Sequence, residues 1–85
     1  MPTAYQDFKE ISELQEKIMH FVAGWVHQKK VPVPLKEVIK HMKELEGIQG
    51  YTTQNACNQL VYKGFLRRAV QISNTTSYVQ LRTIS

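Results

Sequence analysis

Between residues 54 and 59 the chain carries four side-chain amides, Gln54, Asn55, Asn58 and Gln59. Each amide holds a hydrogen-bond donor and an acceptor side by side. That pairing fits the major-groove edge of adenine, where one group donates and its neighbour accepts. Steps of one, three and four residues put all four amides on one side of a helix. Thr52 and Thr53 precede them, and Tyr62 and Lys63 follow. Hydroxyl and ammonium groups of this kind hold phosphate oxygens, as do the unpaired backbone N–H groups at a helix start. A helix surface that merely faces water usually carries Glu and Lys. This one has amides and no carboxylate.

Charge divides the chain in the same sense. All seven acidic residues (Asp7, Glu10, Glu13, Glu16, Glu37, Glu44 and Glu46) lie within the first 46 positions, together with seven lysines. From Gly47 to Ser85 there is no acid, only Lys63, Arg67, Arg68 and Arg82, so the formal charge of +4 sits there. A one-signed region attracts a polyanion even when the overall charge is modest.

Other chemistry finds little footing. His20, His27 and His41 have no close ligand pair, and no CxxC or HxxxH spacing occurs, so they read as ordinary histidines and no metal is expected. Cys57 is the single cysteine; it excludes an intramolecular disulfide and reads as a small buried thiol. No serine, histidine and carboxylate grouping and no phosphate-binding glycine loop is present, so neither catalysis nor a cofactor is expected. The sequon Asn74-Thr75-Thr76 lacks a secretion signal to give it meaning. With no long apolar run and no signal-like start, the chain is expected to be cytoplasmic, without a membrane partner.

The elements that position these residues follow from periodicity. At 85 residues one domain is expected, with residues 1–9 as a flexible or dimer-forming extension. Ile11, Leu14, Ile18, Phe21, Val22, Trp25 and Val26 recur at helical steps and predict a first helix over about 8–28. Gly24 in that helix suggests close approach of another helix. Pro32 and Pro34 end it, and Val31 and Val33 suit a short edge strand. Leu35, Val38, Ile39, Met42 and Leu45 form the stripe of a second helix, with Lys36, Lys40 and Lys43 opposite. After the turn at Gly47-Ile48-Gln49-Gly50, a third helix is expected over about 53–63, capped by Thr52 or Thr53. Its inward side is Ala56, Cys57, Leu60 and Val61, and Gly64 stops it. The period then becomes two, and β-prone runs on either side of Ser73–Ser77 predict a hairpin.

This order gives an α+β fold that resembles a winged helix-turn-helix: three helices followed by a C-terminal β-hairpin wing. The stretch from Thr53 to Arg68 is similar to that of winged-helix regulators, in which the recognition helix ends in Leu-x-x-Lys-Gly-Phe/Leu-Leu-x-Arg. Leu60, Gly64, Phe65 and Leu66 fill the structural places of that pattern. The resemblance covers roughly residues 10 to 82. It implies a small regulator of transcription that binds double-stranded DNA with its third helix in the major groove. Gln54, Asn55, Asn58 and Gln59 would read bases, while Thr53, Tyr62, Lys63, Lys36 and Arg68 would hold the backbone. Such domains commonly pair, and the first helix with residues 1–10 is the expected homodimer surface. One departure stands out. The wing tip, Ser73 to Ser77, has no cation. That departure favours an alternative, a protein-interaction module in a larger complex. A third reading, ranked last, is binding of single-stranded or structured RNA with Tyr62 and Tyr78 stacking on bases.

Overall fold

Ser12 fixes where the first helix begins. Its hydroxyl accepts from the Gln15 backbone N–H, and the Gln15 side chain accepts from the Ser12 N–H, a reciprocal capping box. The computed structural model describes residues 11–69 and 76–82. The resulting helix, α1, spans Glu13–Lys29 and ends at Lys30, whose φ of 61° is left-handed. It starts later than periodicity alone predicts, because the cap and not the apolar stripe sets the boundary. Residues 8–10, expected to begin this helix, and residues 1–9, expected to be a flexible or dimer-forming extension, lie outside the described residues.

Val33–Pro34 forms β1, and Pro34 leads directly into α2, Leu35–Glu46. Of the two valines proposed for this strand, Val33 is buried and Val31 is half exposed. Gly47 closes α2 with a φ of 69°, a left-handed cap that glycine adopts without steric cost. The expected stripe on α2 holds except at Leu45, which is 67% exposed. Gly24 on α1 is also corrected: it faces solvent, and a β-carbon there would meet nothing within 4 Å. The close helix approach occurs instead at Gly50, where a β-carbon would stand 3.3 Å from Ile39 Cγ2.

The third helix, α3, spans Gly50–Tyr62. Its end is a Schellman motif: Phe65 N–H donates to Leu60 O, Gly64 N–H donates to Val61 O, and Gly64 takes a φ of 86°. The chain therefore turns sharply, and Phe65 and Leu66 drop into the core. Two short strands follow, β2 (Leu66–Arg68) and β3 (Ser77–Gln80). They pair antiparallel, and β3 also pairs with β1, giving the sheet order β1-β3-β2. The hairpin is thus part of a three-stranded sheet. Leu35 N–H donates to Thr76 O, which ties the start of α2 to the start of β3.

The core lies where α1, α2 and α3 meet the sheet. Ile18, Met19 and Val22 enter from α1, Val38 and Met42 from α2, and Ala56, Cys57 and Leu60 from α3. Val33, Phe65, Leu66 and Tyr78 close it from the strands. The architecture of the described residues is α+β, three helices with a small antiparallel sheet. No helix among the described residues is long and apolar enough to cross a membrane.

Candidate nucleic-acid interface

The burial pattern of α3 sorts its residues cleanly. Thr53, Ala56, Cys57 and Leu60 are buried, while Tyr51, Gln54, Asn55, Asn58, Gln59 and Tyr62 are exposed. At about 100° per residue the exposed six occupy an arc of about 140°. Gln54 and Gln59 mark the edges of this arc, and Tyr51, 67% exposed, and Tyr62, 92% exposed, lie near its middle at opposite ends of the helix. The helix start has no side-chain cap, with Gln49 as its extended N-cap residue, and no acid in its first turn. Its first backbone N–H groups therefore keep their partial positive charge uncompensated by a side chain.

Thr53 requires a correction. Predicted to cap α3 and touch a phosphate, it is fully buried inside the first turns, and its Oγ1 has no hydrogen-bond partner among the described residues. The preference of threonine for a cap lost to packing: α3 begins three residues earlier, at Gly50, and carries Thr53 inward. Thr52 is only partly exposed. The same shift brings Tyr51 onto the outer face. Its spacing to Asn55, Asn58 and Tyr62, steps of four, three and four, was the available signal.

Two of the amides are held by neighbouring elements. Arg68 Nη2 donates to Asn58 Oδ1 at 3.1 Å, joining β2 to α3. Gln15, 4% exposed, donates from Nε2 to Gln59 Oε1 at 2.5 Å. Lys63 Nζ reaches Gln15 Oε1 at 3.4 Å. Gln15 thus joins the cap of α1 to the outer edge of α3. Sequence reading missed it, although the Ser12-x-x-Gln15 spacing was a capping signature. Gln54 and Asn55 are exposed. Lys36 is exposed in the first turn of α2, on a separate element from the amides.

The three arginines divide their roles. Arg67 and Arg68 are both exposed. Arg82 instead lies over the Phe65 ring at 4.2 Å, covering apolar surface with its guanidinium. Beneath the amide face, burial pushes the Cys57 thiol from 9.0 up to about 12, so the thiol stays protonated and unreactive at neutral pH. Burial also raises the Tyr78 hydroxyl; the neighbouring Cys57 adds to the rise and the Arg68 guanidinium opposes it.

The α1–α2 side is aromatic. Phe21 stacks on His41 at 4.1 Å, tilts against Trp25 at 5.9 Å, and Lys29 lies over the Trp25 ring at 4.9 Å. Trp25 Nε1 is buried without a hydrogen-bond acceptor among the described residues. No grouping of three or more His, Cys, Asp or Glu side chains suited to a metal occurs among the described residues. Comparison of the chain with protein-family models, curated proteins and solved structures gives no match.

Proposed function

We propose that this chain is a winged-helix domain that binds double-stranded DNA as a regulator of transcription, with α3 in the major groove. The observation that carries the reading is the outer face of α3. Six exposed residues, four of them amides and two tyrosines, form one acid-free arc. Amides supply the directed donors and acceptors that base edges require. The tyrosines at the two ends of α3, together with Lys63, suit the flanking phosphates. Lys36 adds a cation from the start of α2. The order of helices and strands, with β1 paired to the return strand β3, is that expected of a winged helix. The neutral wing tip makes α3, and not the hairpin, the principal contact.

Anisotropy of labelled random duplex DNA tests the reading at low and near-physiological salt. Contact of Lys36, Lys63, Arg67 and Arg68 with about four phosphates predicts a log–log salt slope of about −3.6. Absence of binding at low salt would overturn the reading.

One observation supports pairing with a second copy on DNA. The Phe21, Trp25 and His41 cluster on α1 and α2 is aromatic and only partly covered by the rest of the fold. A second copy meeting this surface through α1 would space two α3 helices along one duplex, as paired DNA-binding domains require. Sedimentation of the wild type against Trp25→Ala distinguishes the cases. Loss of a dimer on substitution supports pairing through α1, and a wild-type monomer rules it out.

A further inference from the structure

The partners of Asn58 and Gln59 decide which branch of each amide faces outward. Arg68 can only donate, so the Asn58 atom it meets at 3.1 Å is the oxygen. The Nδ2 branch is the one left over. At Gln15 two donor-only groups, the Ser12 backbone N–H at 3.1 Å and the Lys63 ammonium at 3.4 Å, converge on one atom. That atom must be Oε1, so the other branch of Gln15 is Nε2 and must donate. Its partner on Gln59 is therefore Oε1, and Gln59 is left with Nε2. Both carbonyl oxygens are drawn toward the protein. What remains at the C-terminal half of the amide face is the NH2 branch of each amide, two donors.

Bidentate recognition of adenine needs both branches of an amide, one accepting and one donating. In Asn58 and Gln59 the oxygen already accepts one bond from Arg68 or Gln15, which turns the accepting branch toward that neighbour and biases each amide to present its NH2. Guanine presents two acceptors side by side, O6 and N7, and cytosine presents a donor that would oppose these groups. We infer that Gln15 and Arg68 are positioning residues that set base preference, turning Gln59 and Asn58 so that this half of α3 takes the O6/N7 edge of guanine. The inference rests on the DNA-binding reading and narrows it. It also revises the expectation that all four amides suit adenine, which is kept for Gln54 and Asn55.

Selection of preferred sites from a random duplex pool, with the wild type and with Gln15→Glu, tests it. A carboxylate in place of the Gln15 amide still accepts from Ser12 and from Lys63 but cannot donate. Gln59 must then turn its NH2 inward and expose Oε1. The wild type should select guanines at neighbouring positions, and 7-deazaguanine there should weaken binding about 5- to 150-fold. Gln15→Glu should shift one of those positions to cytosine or adenine and leave the rest of the site unchanged. A merely structural role for Gln15 would weaken all sequences alike. Adenine selected by the wild type at both positions, binding without base preference, or a folded Gln15→Glu that keeps the wild-type preference would each overturn the inference while leaving DNA binding intact. Failure of the wild type to bind any duplex at low salt would remove the DNA-binding reading and the inference together. The 7-deazaguanine comparison uses the wild type alone, so it stands whether or not the variant folds.

Discussion

The second and third helices are nearly equal in length, 12 and 13 residues, and each buries one stripe against the same core. Their outer faces differ in kind. On α2 the exposed residues include Lys36, Lys40, Lys43, Glu44 and Glu46, charges of both signs. Glu46 pairs with Lys17 of α1 at 2.7 Å, an ordinary surface ion pair. On α3 every exposed position from Tyr51 to Tyr62 is neutral, and four are amides. Charged faces solve the problem of solubility with groups that are insensitive to orientation. Amides serve water no better than charges do, but they hold direction. Two of these four are fixed by Gln15 and Arg68. Fixing exposed amides costs side-chain entropy. That cost makes sense for a surface that must present donors in set places.

The largest effect should come from removing the amides themselves. Gln54→Ala with Asn58→Ala should leave the fold intact, since both residues are exposed, and should cost about 2–6 kcal/mol of sequence-specific binding, at about 1–3 per base contact. The matching change on α2, Lys40→Ala with Lys43→Ala, should leave base preference unchanged. Equal losses from the two pairs, read by competition with random duplex, would erase the distinction between the helices.

Inward, α3 behaves as any core helix. Leu60 is fully buried and anchors the Schellman turn, so Leu60→Ala should destabilise by about 2–5 kcal/mol in denaturant melts.

Cys57 lies on the same inward side, and its pKa gives a pH signature. A raised thiol pKa favours the neutral form in the fold, so the contribution is complete below the unfolded value of 9.0. It falls as pH rises from there and is lost through the folded value of about 12. Stability should therefore drop above pH 9, by up to about 1.4 kcal/mol per pH unit from this group. Cys57→Ala should flatten that slope, and the native thiol should resist a thiol reagent at pH 8 until the protein unfolds.

The smallest effect belongs to the end of α1. Lys30 holds a left-handed φ of 61° that a side chain disfavours, so Lys30→Gly should raise stability by about 1 kcal/mol. A melting temperature unchanged by this substitution would show that the cap carries no strain.

Much of this was legible in the sequence. Apolar steps gave α1 and α2, and Gly64 before Phe65 and Leu66 gave the turn into β2, because each rests on a strong local preference. The start of α3 was misplaced for the same reason: Thr52 and Thr53 look like caps, and only the packing of Thr53 against the core shows otherwise. A period of two would put Arg67 and Arg68 on opposite faces, yet both are exposed and both Phe65 and Leu66 are buried. A three-residue strand entered from a tight turn is too short to impose a period of two. The hairpin expected over residues 65–82 is seen as β2 and β3, while its tip at 73–75 lies outside the described residues. The ties from Gln15 and Arg68 span 44 and 10 positions and could not be read from spacing. Of the candidate site, the amide face was visible and its orientation was not.

The contrast between the helices can be measured directly in one nitrogen-15 NMR titration with duplex DNA at low salt. Side-chain NH2 signals of Gln54, Asn55, Asn58 and Gln59 should shift, along with the backbone of residues 51–62 and the Arg68 guanidinium. The Trp25 indole N–H, on the α1–α2 side, should stay in place. Shifts centred on Trp25, with the four amide signals unmoved, would contradict the assignment of α3 as the DNA-reading face.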